Sequence, residues 1–196
     1  MTGTILSAAE IAIRPVTLAE WPAMQTLFDQ PGPHHGCWCM YWRVRRADFQ
    51  RQYGASLRRA MEELIRAGRV PGLLAYHEGQ PVGWCSIAPR DEFPPLDRSP
   101  TLKRVDDQPV WSIVCFFITR PYRHRGLLAQ LITAALAYAR ENGARIVEAY
   151  PLLPQKAAEQ PYEHYMGVQT TFARLGFQEV ARRSDRRPIM RFVIAD

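Results

Sequence analysis

Two arginines and a glycine lie together near the middle of the chain, between an apolar segment and a helical one. They are Arg123, Arg125 and Gly126, within the turn 120–126. A turn that enters a helix presents backbone N–H groups at the positive end of the helix dipole, which favours anions. Glycine allows close approach, and guanidinium groups add charge and donors. The pattern predicts an anion site suited to a diphosphate, and an ordinary basic turn is the alternative.

One carboxylate interrupts an apolar stretch further along. In the predicted strand 144–151, ARIVEAYP, the side chains of Ile146, Glu148 and Tyr150 share one face. A carboxylate among apolar residues is costly unless it is paired. Glu148 is therefore either held by an arginine or kept for chemistry. Other groups that could transfer a proton follow this strand: Tyr162, His164 and Tyr165.

The stretch HHGCWCMYWR, His34 to Arg43, is rich in histidine, cysteine and aromatic residues. Histidine and cysteine are zinc ligands, but known structural sites draw on two separated pairs. Here His34, His35, Cys37 and Cys39 are crowded together with no second pair elsewhere. We therefore expect no metal site. Burial of the aromatic rings and thiols in the core is one interpretation of the stretch.

Hydrophobic patterning around these residues predicts an α/β protein with a mixed sheet. The predicted strands are 10–16, 72–79, 80–88, 110–119, 144–151, 177–184 and 187–194, and the predicted helices are 17–30, 47–68, 127–142 and 168–176. The proline-rich connection 89–109 shows little periodicity, so it either covers a binding site or forms a surface excursion, which we favour. The segment 152–167 reads as a second long loop.

Two motifs resemble those of the GNAT superfamily of N-acyltransferases. The acyl-CoA-binding motif of this superfamily has six positions. In order, they are Arg or Gln, any two residues, Gly, any residue, and Gly or Ala. The segment from Arg123 to Leu128, RHRGLL, matches this order up to its last position. FARLGF, Phe172 to Phe177, resembles the last short helix and following strand of the same proteins. The resemblance implies one GNAT-like domain over residues 1–196, with a mixed, mostly antiparallel sheet of about seven strands and about four helices.

The resemblance also implies a binding mode for acetyl-CoA. In GNAT proteins the pantetheine arm lies between two parted central strands and pairs with the backbone of the earlier strand. The implied cofactor-binding residues are Phe116, Phe117, Ile118, Arg123, His124, Arg125, Gly126, Leu127 and Leu128. A backbone N–H near Phe116 is then placed to stabilise the oxyanion. The region after the first helix walls the acceptor pocket in these proteins, so Cys37, Trp38 and Tyr41 are either pocket wall or core.

The proton-transfer positions depart from the family pattern. Many members carry a glutamate in the central strand, where this chain has Ser112, and a tyrosine in the last helix, where it has Phe172. Other members carry the glutamate in the next strand, and Glu148 matches that arrangement. The resemblance thus implies Glu148 as the catalytic base. The acid that Phe172 cannot supply is then Tyr150, Tyr162, His164 or Tyr165, or water protonates the thiolate directly. A structural salt bridge is the competing account of Glu148.

Composition limits the remaining classes. A chain of 196 residues with 47% hydrophobic content can bury one sizeable core. The net charge of +6 suits a polyanionic ligand such as coenzyme A, but also nucleic acid. Four cysteines and the lack of a basic-then-apolar leader predict reduced thiols in the cytoplasm, and no apolar run is long enough to span a membrane.

We therefore expect an acetyl-CoA-dependent N-acetyltransferase that acts on a primary amine of a small molecule or peptide. Neither nucleic acid nor membrane is an expected partner, and a homodimer is left open. The alternative is a catalytically degenerate acyl-CoA-binding regulatory domain, which Ser112, Leu128 and Phe172 favour.

Overall fold

Seven strands form a single sheet in the computed structural model, which describes residues 5–30, 35–159 and 161–195. The strand order is β1-β2-β3-β4-β5-β7-β6. The strands are β1 Ile11–Pro15, β2 Gly72–His77, β3 Gln80–Pro89, β4 Trp111–Ile118, β5 Ile146–Ala149, β6 Gln178–Arg182 and β7 Pro188–Val193. Among the strand pairs of the sheet as described, β4 and β5 alone run parallel. The predicted mixed, mostly antiparallel sheet is confirmed.

The described residues contain seven α-helices, which is more than the four or so predicted. They are α1 Trp21–Phe28, α2 Arg46–Arg51, α3 Ala55–Arg66, α4 Pro94–Arg98, α5 Leu127–Glu141, α6 Pro154–Glu159 and α7 Gln169–Arg174. The predicted helix 47–68 is split because Gly54 adopts φ 90°. Helices α4 and α6 each begin at a proline, which is compatible with the first helical position, so both form within segments that the sequence predicts as loops. None of the described helices is long and apolar enough to cross a bilayer.

Helices cover both faces of the sheet. Neighbouring residues of β3 show the division, since Trp84 packs with the side chains of α1 and α3 and Cys85 packs with those of α5. A third buried cluster lies beside Tyr150 and includes Phe93, Leu96 and Leu102 of the connection 89–109. These three side chains are at most 3% exposed. Our preference for a surface excursion was therefore wrong, because the connection is anchored in the core.

Strand β4 leaves β5 part-way along its length. It pairs with β3 throughout, but with β5 only over Trp111 to Ile113. Cys115 faces Ser86 and Ile113 faces Ile87, so Val114 is an extra residue in β4 at this point. Such a bulge bends a strand and increases its twist. The bend therefore occurs where β4 and β5 part, and it leaves the second half of β4 with an edge that β5 does not cover.

Candidate functional site

The basic turn is wound tightly into the start of α5. Gly126 occupies the N-cap position with φ 84°, and His124 also has a positive φ of 59°. The Gly126 carbonyl accepts hydrogen bonds from the N–H groups of Ala129 and Gln130, at 3.1 and 3.3 Å. By helix geometry, the N–H groups of the first residues of α5 point outward at its positive end. The turn thus has the backbone form of an anion site.

Two guanidinium groups border this turn. Arg123 Nε donates a hydrogen bond of 2.9 Å to the carbonyl of Ile118 at the end of β4. The guanidinium carbon of Arg125 lies 5.7 Å from the ring centre of Tyr122, in a cation–π arrangement. The backbone carbonyl of Arg125 accepts a hydrogen bond of 3.1 Å from the N–H of Leu6. Both arginines are therefore held beside the helix N-terminus, and their charge suits a diphosphate.

The backbone of β4 offers an edge directly before the turn. The Thr119 N–H donates to the carbonyl of Val82 in β3, at 3.0 Å. Antiparallel pairs alternate between hydrogen-bonded and non-hydrogen-bonded positions, so Phe116 and Ile118 direct their backbone groups away from β3. That direction is the side from which β5 has departed. An extended guest with amide groups can pair with such an edge.

The structure brings the predicted cofactor-binding residues together on one continuous segment, from the end of β4 to the start of α5. Phe117 differs from its neighbours because its side chain packs with the cluster under α1 and α3. The roles of all nine residues stay predictions. The Val114 bulge, which opens the edge, was missed in the sequence because the apolar run around it shows no alternation that an extra residue could interrupt.

Glu148 lies between two buried arginines. It is 1% exposed, and its Oε1 accepts a hydrogen bond of 2.9 Å from Arg191 Nε. Its Oε2 accepts from Arg90 Nη1 at 3.0 Å and from the Tyr150 hydroxyl at 2.8 Å. The Tyr150 oxygen lies 2.8 Å from Ser112 Oγ. These contacts match the ion-pair account of Glu148, and its role as a base stays a prediction.

The two arginines extend this network into the connection 89–109. Arg90 Nη2 donates to Asp97 Oδ1 and to the Leu102 carbonyl, both at 2.8 Å. Arg191 donates to both oxygens of Asp106, at 2.6 and 2.8 Å, and its guanidinium lowers the pKa of that carboxyl to about 2. Sequence reasoning missed Arg90 and Arg191 because neither stands in a motif. The network fastens the connection to β5 and β7.

Tyr150 is a buried neutral hydroxyl. Burial raises the pKa of Tyr150 far above its usual value, and the neighbouring Glu148 carboxylate raises it further. Arg90 Nη1 donates to the same hydroxyl at 2.6 Å. The Tyr150 hydroxyl is thus already hydrogen-bonded to Glu148, Arg90 and Ser112. The role of Tyr150 as a catalytic acid stays a prediction.

Tyr165 has a different setting. It belongs to the 3-10 segment Pro161–Met166, which packs along β4. Its half-buried ring contacts the cluster that contains Val114, the bulge residue. His164 is bonded elsewhere, since its Nε2 lies 2.7 Å from the Ala157 carbonyl. The side chain of Tyr162 lies outside the described residues. Tyr165 is thereby placed near the parted edge of β4.

The stretch after α1 is partly core. Trp38 is 3% exposed and stacks on Phe28 with ring centres 5.5 Å apart, which matches the core interpretation. Cys37 and Tyr41 are half-buried. Within the part of the chain that the structure describes, no group of three or more potential ligands could hold a metal ion, and His34 lies outside that part. A pocket-wall role for Cys37, Trp38 and Tyr41 stays a prediction.

Comparison with known proteins identifies the class that this fold and turn define. The sequence model of the Acetyltransferase (GNAT) family matches residues 27–168. Because the match covers more than half of the chain, the protein belongs to this family, as the motifs predicted. No curated protein sequence matches the chain.

Solved structures of the same family share the fold. A GNAT-family acetyltransferase from Listeria monocytogenes is 13% identical with a TM-score of 0.57, and the match covers 98% of this chain and 100% of that one. The protein yncA from Salmonella typhimurium, solved with its cofactor acetyl-CoA, is 16% identical with a TM-score of 0.53 and 95% coverage of both chains. The paia N-acetyltransferase from Thermoplasma acidophilum, in complex with coenzyme A, is 12% identical with a TM-score of 0.52, covering 94% and 99%. Acetyl-CoA is the co-substrate of the family, in agreement with the prediction.

Proposed function

We propose that the protein transfers the acetyl group of acetyl-CoA to a primary amine of a small molecule or peptide. The observation that carries the proposal is the parting of β4 from β5 at the Val114 bulge, directly before the basic turn of α5. The bulge supplies an extended edge, and the turn supplies an anion site at the end of that edge. A ligand with a diphosphate and an amide-containing arm fits both features.

The residues present suit acetyl-CoA. Gly126 brings no side chain to the start of α5, and Arg123 and Arg125 add positive charge beside it. The backbone of Phe116 and Ile118 can pair with the amides of pantetheine. The N–H of Phe116 would then meet the thioester oxygen, where a fixed donor stabilises developing negative charge. The cofactor supplies an activated acetyl group, and these residues bind and orient it.

Departure of the thiol also requires a proton. We assign the donor role to Tyr165, because the 3-10 segment that carries it packs against β4 and its ring contacts the cluster that contains Val114. Tyr150 is less suited since its hydroxyl is already bonded to Glu148, Arg90 and Ser112. A phenol held near the departing thiolate can serve as a general acid.

The Tyr165→Phe variant tests this assignment. We expect kcat to fall by about 100-fold, the lower range for loss of a general acid, with the KM for acetyl-CoA unchanged. Tyr138→Phe is the matched control, because Tyr138 is a half-buried tyrosine of α5 that packs on Trp111 away from the parted edge. If kcat falls equally in both variants, or in neither, Tyr165 is not the donor.

Release of coenzyme A in the presence of amines tests the function itself. A suitable panel contains spermidine, tyramine, lysine amide and a short peptide with a free N-terminus, and mass spectrometry identifies the acetylated product. We expect turnover with at least one amine, and a rise in melting temperature with acetyl-CoA. Thermal stabilisation without acetylation of any amine would instead indicate the regulatory acyl-CoA-binding domain. If acetyl-CoA causes neither acetylation of an amine nor a rise in melting temperature, both accounts are contradicted.

Charge reversal at the turn should separate binding from folding. Arg125→Glu is expected to weaken acetyl-CoA binding by about 10- to 100-fold, since one charge-assisted contact is replaced by repulsion. Arg59→Glu makes the same change of net charge at an exposed position of α3 and should leave affinity unchanged. Calorimetric titration of the two variants compares the affinities. Equal affinity in both would place the diphosphate elsewhere.

A further inference from the structure

Three side chains form a row that leads from the β2–β3 hairpin to the basic turn. His77 ends β2, Tyr122 ends the 3-10 segment Arg120–Tyr122, and Arg125 lies in the turn itself. His77 Nδ1 lies 3.1 Å from the Tyr122 hydroxyl oxygen, and the two ring centres are 5.3 Å apart. The guanidinium carbon of Arg125 lies over the Tyr122 ring, 5.7 Å from its centre. Tyr122 therefore contacts an imidazole through its hydroxyl and a guanidinium group through its ring.

The two ring-bearing residues of this row are fixed by backbone contacts. The turn 78–79 that follows His77 has positive φ at both residues, 49° and 75°, as expected in a tight two-residue hairpin. The Tyr122 N–H donates to the Thr119 carbonyl at 3.0 Å, and Thr119 Oγ1 donates to the Val82 carbonyl of β3 at 3.2 Å. Tyr122 and the end of β2 are thus both tied to the β3 backbone, which brings the hydroxyl and the imidazole together.

Stacking on a ring suits an arginine that must bind an anion. An arginine side chain has many rotamers, and a group held in one orientation before binding loses less entropy when the ligand arrives. A guanidinium group stacked on an aromatic face directs the N–H groups at its edge toward other acceptors. Arg123 is held differently, because its Nε donates to the Ile118 carbonyl. The ring of Tyr122 can therefore orient Arg125 without using the hydrogen bonds that a diphosphate requires.

The backbone of the turn is held by other groups. The Leu6 N–H donates to the Arg125 carbonyl at 3.1 Å, and Gln130 Nε2 of α5 donates to the Leu6 carbonyl at 2.9 Å. Leu6 itself is 2% exposed. Loss of the Tyr122 ring should therefore release the Arg125 side chain while the N–H groups at the start of α5 keep their direction.

We infer that Tyr122 is a positioning residue for Arg125 and that His77 fixes Tyr122, so the β2–β3 hairpin tunes the affinity for the acetyl-CoA diphosphate. The inference rests on the proposed function, which places the diphosphate at the turn. Tyr122 and His77 act through Arg125 and not on the thioester. Because the row lies beyond the end of β4, whereas Tyr165 packs with the Val114 cluster, loss of either side chain should raise the KM for acetyl-CoA and leave kcat unchanged.

A double-mutant cycle tests whether Tyr122 acts through Arg125. Tyr122→Leu removes the ring face and should weaken acetyl-CoA binding by about 5- to 10-fold, the size of one cation–π contact. In an Arg125→Ala background the same substitution should change the affinity by less than about 2-fold, because the group that Tyr122 orients is absent. Calorimetric titration measures the four affinities. An equal loss in both backgrounds overturns the inference, as does no loss in either.

The hydrogen bond to His77 has its own test, which also serves if Tyr122→Leu fails to fold. Tyr122→Phe keeps the ring and removes the hydroxyl, whereas His77→Phe keeps a ring and removes Nδ1. Each should raise the KM for acetyl-CoA by about 3-fold with kcat unchanged. The double variant should show about the same rise, because both changes break one hydrogen bond. Full additivity, or an unchanged KM in both single variants, overturns the role of His77.

Tyr76→Leu is the matched control for the ring. Tyr76 precedes His77 on β2 and has Arg14 over its ring at 5.4 Å, but it packs with the opposite cluster under α1 and α3. This variant should leave acetyl-CoA affinity unchanged, and an equal loss in Tyr76→Leu and Tyr122→Leu overturns the inference. If amines are acetylated but Arg125→Ala binds acetyl-CoA as wild type does, this inference alone falls. The absence of turnover with any amine of the panel overturns the proposed function as well.

Discussion

Substitution of Gly126 by alanine is expected to weaken acetyl-CoA binding by about 100-fold. Gly126 has φ 84°, a conformation that residues with a side chain rarely adopt. A Cβ would lie 3.4 Å from Ile5 Cγ2, so packing itself tolerates the methyl group. The loss arises because the backbone must turn away from φ 84°, which re-aims the N–H groups at the start of α5. Loss of two contacts to a diphosphate, at about 1.5 kcal/mol each, gives the stated factor.

Gly143 provides a matched control at the other end of α5. Its φ is 82°, and a Cβ there would meet no atom within 4 Å. Gly143→Ala should therefore lower stability about as much as Gly126→Ala, by about 1 kcal/mol each, and leave cofactor affinity unchanged. Thermal melts compare the stabilities, and calorimetric titration with acetyl-CoA compares the affinities. Equal affinities in the two variants would show that the turn does not bind the diphosphate.

The sequence predicted features that depend on neighbours in the chain. The helical spacing of Leu127, Leu131 and Ala135 follows directly from the period of a helix, and α5 begins at Leu127 as the basic turn indicated. The hairpin of β2 and β3 and the closing pair of β6 and β7 were likewise visible as apolar segments around turn residues. Local periodicity was therefore sufficient to predict the succession of strands along the chain.

Features that depend on distant contacts were not predictable from the sequence. Arg90 meets Glu148 across 58 positions of the chain, and Arg191 meets it across 43. The sequence indicated that Glu148 needed a partner, but with many arginines present it could not select one. The meeting of Cys39 with Trp84 across 45 positions is of the same kind. The pair Glu148–Arg191 is fixed by the register of β5 against β7, and the other pairs depend on how loops pack against the sheet, which only tertiary structure determines.

The Glu148 network makes a second strong prediction, because it joins three parts of the fold through one carboxylate. Arg90 belongs to the connection 89–109, Glu148 to β5 and Arg191 to β7. Both arginine side chains are at most 8% exposed. Water can therefore replace a missing carboxylate only poorly, and removal of Glu148 leaves two buried positive charges close together.

Glu148→Ala is expected to lower the free energy of unfolding by about 3 to 5 kcal/mol, the usual cost of breaking a buried ion pair. In a chain of this length that corresponds to a fall in melting temperature of roughly 6 to 20 °C. Glu179→Ala is the control, because Glu179 pairs with Arg182 at the surface, where the two side chains are 32% and 47% exposed. Its effect should stay below about 1 kcal/mol. Chemical denaturation of both variants measures the difference.

The same variant separates the two accounts of Glu148. If Glu148 fastens the connection 89–109 to the sheet, Glu148→Ala unfolds more easily, and at low temperature its pH profile of acetylation keeps the ascending limb of the wild type. If Glu148 is also the base, kcat falls by about 100-fold or more and the limb disappears, in addition to the loss of stability. Because each oxygen of Glu148 already accepts from a guanidinium group, a proton there would have to displace an ion pair. We therefore expect the first result. It would assign proton removal from the acceptor amine to a group other than Glu148, one that is not hydrogen-bonded to guanidinium groups.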